Sequence, residues 1–469
     1  MEEFKLVIGG ELIDGAGTID VINPATGQAF ARCARSDAAL LNRAVAAAKS
    51  ALPAWSALDI EKRSAKLIEL ADTMDAEAAD FARLLTMEQG KPLEQAAGEI
   101  AATTYTIRTF AEMRLPIETL KDDQTGTVKE LRTPLGVVAA ITPWNFPVLL
   151  LINKLAPALL AGNTLVVKPA ATTPLTTLRL AKLCARIMPA GVVNTVIDNN
   201  DLGSILTEHA DIAKIAFTGS TETGKRVMAS AAKSIKRVTL ELGGNDAAII
   251  LDDVDPKVAA RKLYDGAMMN AGQICVAIKR AYVPAAIYDE VCAELALVAD
   301  AAVVGNGLNQ GSEIGPIQNA RQYTKVNEFI ADARTNGEII AGGQNTDGPG
   351  YFIRPTIIKN IADDARIVCE EQFGPVLPVL KYDDIADVLA RVNASEYGLS
   401  GTVWGKDRAH ACDVAAKIEV GTVWVNQHLA MDATVPFRGA KQSGLGTELG
   451  MEGLKEYTQA RIISSVSLN

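Results

Sequence analysis

Over residues 134–244 short apolar runs alternate with amphipathic stretches, and this alternation narrows the choice of fold more than any other feature. The runs 136–141, 164–167, 192–196, 212–217 and 238–242 read as strands. Residues 148–161, 175–188 and 223–233 read as helices between them. Uninterrupted apolar runs belong to strands covered on both faces, and strands separated by helices form βαβ units with a parallel sheet. Near Gly243-Gly244 the alternation restarts, with strands over 247–251 and 281–283 flanking a helix over 256–269. The pattern predicts a second α/β lobe reaching about Gly444. Upstream, 36–113 is alanine-rich with helical spacing, opened by an N-cap at Ser36-Asp37 and broken at Gly90-Lys91-Pro92. Two polar strand-like segments, 127–133 and 461–467, stand apart. They fit two edge strands, or a flap that pairs with the tail, within the chain or across subunits.

Bulk properties remove several function classes. A chain of 469 residues with 48% hydrophobic content has material for two or three domains or one large bilobed enzyme. A net charge of −10 argues against nucleic acid and anionic membranes as partners. The six cysteines (33, 184, 275, 292, 369, 412) form no CxxC pair, which fits a reduced compartment. Met-Glu-Glu-Phe-Lys lacks the basic and apolar regions of a signal peptide. The most apolar stretch, 137–167, is interrupted by Pro143, Asn145, Pro147, Asn153, Lys154, Pro157 and Asn163, unlike a membrane span. The expectation is a soluble cytoplasmic protein. With only His209, His410 and His428, a histidine-built metal site is not expected, and general-base work falls to carboxylates or lysine.

Five motifs carry chemistry. Phe217-Thr218-Gly219-Ser220-Thr221-Glu222-Thr223-Gly224-Lys225 follows a strand and opens a helix, where glycines admit a phosphate to backbone N–H groups. It falls short of a P-loop because Arg226 stands where Ser or Thr would hold magnesium, so it reads as a dinucleotide site or a plain tight turn. Lys168-Pro169 puts a cation at the C-terminal end of a strand, where open α/β sheets bind ligands, or where a lysine is simply solvated. Pro143-Trp144-Asn145-Phe146-Pro147 is a stiff loop whose Asn145 amide suits either an oxyanion or a helix cap. Glu241, between two leucines, is a desolvated carboxylate suited to a general base or to a structural ion pair. Cys275 follows a helix and a Gly-Gln break, one strand and one helix beyond Glu241. It is a nucleophile or one more buried thiol.

In order and together, these motifs resemble the NAD(P)-dependent aldehyde dehydrogenase superfamily over nearly the whole chain. Glu370-Glu371-Gln372-Phe373-Gly374-Pro375 and Pro436-Phe437-Arg438-Gly439-Ala440-Lys441-Gln442-Ser443-Gly444 add to the match. The resemblance implies an α/β fold with a Rossmann-type cofactor domain (1–114 and 134–243), an α/β catalytic domain (244–444) and a small β-flap for oligomerisation (115–133 and 456–469). It makes Cys275 the nucleophile that forms a thiohemiacetal and then a thioester. Asn145 and the Cys275 backbone N–H would hold the oxyanion, and Glu241 would activate the hydrolytic water. NAD or NADP would contact Trp144, Lys168, Ala171, Gly219, Ser220, Glu371 and Phe373. Phe146, Leu149, Leu150, Asn153, Ile274, Val276, His428 and Met431 would line the aldehyde tunnel. No metal is implied. The implied partners are a small-molecule aldehyde and further copies of the chain, as a homodimer or homotetramer.

Three departures from the family pattern stand out. Ala171 occupies the position where NAD-preferring members carry an acid, so NADP is admitted. Asn245-Asp246 and Arg438 also differ from the commonest residues. The apolar tunnel points to medium-chain aliphatic or aromatic aldehydes rather than succinate semialdehyde. Glu241 favours hydrolysis over acyl transfer to coenzyme A. Coenzyme A acylation, or a catalytically silent binding or structural protein on this scaffold, are the alternatives.

Overall fold

The first sheet contains β1 (Val137–Ile141), β2 (Thr164–Lys168), β3 (Val193–Thr195), β4 (Ile212–Thr218) and β5 (Arg237–Glu241). Their order is β3-β2-β1-β4-β5, all parallel, with Gly444–Leu445 added antiparallel along β5. These strands are almost wholly buried, as their uninterrupted apolar runs require. The winding reverses between β1 and β4. Such a reversal opens a crevice above the C-terminal strand ends, the usual ligand position in open α/β sheets.

The structure, a computed structural model, describes residues 2–346 and 348–467. The last two residues of the expected flap segment, Leu468 and Asn469, lie outside the described residues, as do Met1 and Asp347.

A second sheet restarts at Asp246, as the sequence pattern predicts. It contains β6 (Asp246–Ile250), β7 (Ile278–Pro284), β8 (Thr356–Lys359), β9 (Val376–Tyr382), β10 (Ser400–Trp404) and β11 (Thr422–Val425). These run parallel in the order β8-β9-β7-β6-β10-β11, with Glu338–Ala341 antiparallel on β8. Only Leu242-Gly243-Gly244-Asn245 separates the end of β5 from the start of β6. The C-terminal end of one sheet is thereby joined to the N-terminal end of the other, where β7 also begins.

Helices Ala38–Ser56, Ile60–Ala76, Ala78–Gln89 and Leu93–Glu112 fill the expected helical region. Of the Ser36-Asp37 pair, Asp37 is the cap, accepting from the Leu40 N–H at 2.8 Å. Gly90, at φ 101°, closes the third of these helices in the left-handed conformation that glycine adopts without strain. The two isolated strand-like segments pair with each other within the chain. Gly126–Pro134 and Thr458–Ser465 are antiparallel, with Leu131 opposite Arg461. Glu118–Asp123 flanks the first of them on its other side, a strand the polar sequence did not announce. The N-terminal strands, such as Gly17–Asn23 against Gln28–Arg35, were equally silent, because they are short and half-exposed.

Candidate functional site

Where the two sheets meet, a cavity of about 1210 Å³ is lined by Asn145, Glu241 and Cys275. Seven of the eight expected tunnel residues line it with them: Phe146, Leu149, Leu150, Asn153, Ile274, Val276 and Met431. His428 does not, which corrects the sequence expectation. Its Nε2 lies 2.8 Å from the Val276 carbonyl, and its ring meets Trp424 edge-on at 5.0 Å. It therefore braces the wall from behind, with its pKa pushed down to about 4 by burial. Tyr105, Met268, Leu429 and Phe437 also line the cavity. No local signal marks Tyr105 or Met268, which sit on faces of ordinary-looking amphipathic helices.

A strained turn presents Cys275. Asn270, Ala271 and Gly272 take φ of 51°, 53° and 69° in succession. A side chain at Gly272 would run into the Gly374 carbonyl, so glycine is required there. Cys275 exposes part of its surface to the cavity. Desolvation pushes its thiol up to about 12, while the positive charge of Lys279 pulls the other way. Burial thus works against the few per cent of thiolate expected of a free cysteine, and the Lys279 charge works for it.

The stiff loop after β1 holds Asn145 from several sides. Its amide donates to the Gln273 carbonyl at 3.0 Å, which leaves one N–H over. The backbone carbonyl of Asn145 accepts from Lys91 Nζ at 2.9 Å and Asn270 Nδ2 at 3.2 Å. Lys91 is in turn paired with Glu99 at 2.5 Å, both side chains fully buried. Asn145 does not cap helix Leu149–Leu160. Glu99 does, accepting from the N–H groups of Val148 and Leu149 at 3.2 and 3.3 Å. The capping alternative for Asn145 is therefore closed.

Glu241, at the end of β5, is buried, and neither carboxylate oxygen has a hydrogen-bond partner. Burial first, and the charge of Glu448 second, push its pKa well above the usual carboxylate range, against the opposing pull of Lys154. Lys154 joins Glu448 and Thr218 in a buried cluster. No local signal reveals this trio, which is scattered over 294 residues of sequence.

The expected cofactor contacts are held in place by their own partners. Thr142, which leads into it, donates to the Lys168 carbonyl at 3.1 Å, and Trp144 meets Phe373 edge-on at 5.3 Å. Lys168 pairs with Asp198 at 2.6 Å at the end of β2, and Ala171 lies half-exposed three residues on. Gly219 donates to the Glu241 carbonyl at 3.1 Å. Ser220 is exposed and caps helix Thr221–Ala232. Glu371 accepts from the Gly244 N–H at 3.0 Å, and burial raises its pKa.

These residues fit a dinucleotide. A Cβ on Gly219 would lie 2.5 Å from the Phe217 ring, and one on Gly243 would lie 2.5 Å from the Glu371 carboxylate. Glycine is thus required for the Phe217 ring and the Glu371 carboxylate to pack against bare backbone, beside a helix N-terminus at the sheet's switch point. Among the described residues no group of His, Cys, Asp and Glu side chains could hold a metal ion, and no helix is long and apolar enough to cross a membrane.

Comparison with known proteins agrees with this geometry. The model of the aldehyde dehydrogenase family matches residues 13–463. The chain is 38% identical to phenylacetaldehyde dehydrogenase of Pseudomonas fluorescens, over 97% of this chain and 95% of that one. It is 38% identical to the NADP(+) succinate-semialdehyde dehydrogenase of Escherichia coli, over 97% and 96%. The NAD+ complex of an aldehyde dehydrogenase from Bacillus cereus superimposes with a TM-score of 0.97 at 36% identity, covering 99% of this chain and 96% of that one. The chain belongs to the aldehyde dehydrogenase family and is an NAD(P)-dependent oxidoreductase.

Proposed function

We propose that this enzyme oxidises medium-chain aliphatic or aromatic aldehydes to free carboxylic acids through a thiohemiacetal and a thioester on Cys275. One observation carries the reading: Cys275, Asn145 and Glu241 line a single cavity, and both oxygens of Glu241 are buried and unpartnered. The thiol, kept protonated by burial, gives its proton to solvent as it attacks, which leaves the Glu241 carboxylate free for the second half of the reaction. As sulfur bonds to the carbonyl carbon, the free amide N–H of Asn145 and the Cys275 backbone N–H receive the oxyanion. Bound NAD(P)+ supplies the acceptor for the hydride that leaves this carbon. Glu241 then takes a proton from water, the hydroxide adds to the thioester, and the carbon–sulfur bond breaks to release acid and thiolate.

The cavity's lining supports the substrate class. Around the catalytic trio it is mainly apolar, while its wider lining brings in Glu94, Asp265, Glu313 and Asp432 against Arg261. Arg261 is the only cation among these residues and stands beside Asp265 at 2.9 Å, so carboxylates outnumber cations around a substrate. Relatives of similar identity are named for phenylacetaldehyde and for succinate semialdehyde, so lining chemistry is the basis for the choice. The open-edged strand Thr458–Ser465, with Ile462 and Ile463 exposed, supports assembly into homodimers or homotetramers through the flap.

The test is a spectrophotometric panel of hexanal, phenylacetaldehyde and succinate semialdehyde with each cofactor, with and without coenzyme A. Cys275→Ala should abolish turnover, and full activity in that variant overturns the assignment. Equal rates across the panel would remove the substrate class. Acyl-CoA outpacing free acid would favour the acylating alternative.

A further inference from the structure

Lys279 is a buried charge that the reaction described above leaves without a role. It is the second residue of β7, and its side chain is 2% exposed. Its Nζ donates to the carbonyls of Cys275 at 2.6 Å, Ile274 at 2.9 Å and Ala277 at 3.3 Å. A lysine ammonium has three N–H donors, and here all three are spent on the turn that carries the nucleophile. Glu371 Oε1 stands 3.9 Å away, and the Phe373 ring centre 6.0 Å away. An ammonium so deeply buried is costly unless dipoles and opposite charges surround it. The converging carbonyls, Glu371 and nearby Asp246 do so.

Two consequences follow. Three carbonyls drawn onto one ammonium hold the 274–277 turn curled, which fixes the direction of the Cys275 peptide and its N–H. The same arrangement sets a positive charge one peptide from the sulfur and within reach of a carboxylate on the cofactor side.

We propose that Lys279 is a positioning residue for Cys275: it locks the nucleophile's turn, favours the ionised sulfur and couples that turn to Glu371. This rests on the reading of Cys275 as nucleophile. The other charged groups acting on the sulfur are Asp246, Glu371 and Glu241, all of which raise its pKa, with Lys154 and Glu448 behind Glu241.

The test uses the full-length enzyme and two variants. Lys279→Met removes donors and charge, and Lys279→Gln keeps donors without charge. The rate of alkylation by iodoacetamide is followed against pH with and without NAD+, the labelled residue is identified by peptide mass spectrometry, and kcat and KM are measured in parallel. In both variants the alkylation midpoint should rise by about one pH unit or more, with kcat down about tenfold at neutral pH. Lys279→Gln should recover more of the loss at high pH, since its turn is still tied. A merely structural lysine would lower Tm and leave the midpoint in place. A midpoint and kcat within twofold of the parent in Lys279→Gln overturn the proposal, even if Lys279→Met fails to fold. Labelling of another residue in the parent enzyme would instead overturn the nucleophile assignment itself.

Discussion

Lys154 and Glu448 form an ion pair with almost no solvent exposure, and Lys154 Nζ also donates to Thr218 at 2.7 Å. The pair acts on Glu241 with opposite signs: Glu448 raises its pKa and Lys154 lowers it. Removing the negative partner alone should therefore bring Glu241 back toward the ordinary carboxylate range. For Glu448→Gln, which keeps an acceptor for Lys154, we expect the acid limb of the pH–kcat profile for thioester hydrolysis to move to lower pH. Lys154→Met should move it to higher pH. Breaking such a pair costs about 3–5 kcal/mol of stability, so Tm is expected to drop in both variants. Shifts in the same direction for the two would show that Glu241 does not set that limb.

Glu241 acts on the second half of the reaction in this reading. Its pKa is raised, so it is protonated at acid pH and becomes a base only as pH climbs through that value. Glu241→Gln is expected to preserve the first burst of reduced cofactor while slowing steady turnover by about 10²–10⁴-fold. Rapid-quench measurement of the acyl-enzyme checks this. Steady turnover at the parental rate would contradict the assignment.

Much of this architecture is legible from sequence for a physical reason. Parallel strands buried on both faces leave continuous apolar runs, so β1 to β6 stand out by inspection. Strands with one wet face do not, and Glu118–Asp123, wholly exposed, carries no apolar run, although it falls within the flap segment 115–133 that the family resemblance implies. At the site, the residues proposed to meet substrate and cofactor announce themselves through loop chemistry: two prolines around Asn145, glycines beside Ser220, a carboxylate among leucines at 241. The residues that hold them do not. Lys91 reaches Asn145 across 54 positions and Lys154 reaches Glu448 across 294, contacts that only the folded chain creates. His428 shows the converse error. Its place in a late loop was legible, but the ring direction is decided by the Val276 carbonyl and the Trp424 face.

Asn145 should be sensitive to its supports. Asn145→Ala removes the proposed oxyanion donor and is expected to lower kcat by about 10²–10³-fold, equivalent to about 2.7–4 kcal/mol. Lys91→Met leaves the side-chain amide in place but removes one of the two donors to the Asn145 backbone carbonyl and leaves the buried Glu99 carboxylate without its cation. A smaller loss of kcat is expected there, with cofactor KM nearly unchanged, together with a lower Tm. If Lys91→Met lowered Tm alone, the buried lysine would serve the fold and not the loop.

Ala171 lies three residues beyond Lys168 in the half-exposed turn at the end of β2. Alanine there neither accepts hydrogen bonds from ribose hydroxyls nor repels a phosphate. A carboxylate at that position would do both, since like charges about 4 Å apart interact by about 4 kcal/mol at the effective dielectric near a protein surface, before screening. Ala171→Glu is thus expected to raise the KM for NADP+ by tenfold or more, with NAD+ kinetics held or improved. The effect on NADP+ should shrink as ionic strength rises, because exposed charges are screened. Parallel NAD+ and NADP+ titrations at low and high salt measure it. If the variant left the ratio of the two KM values unchanged, the adenosine ribose would not lie against this turn.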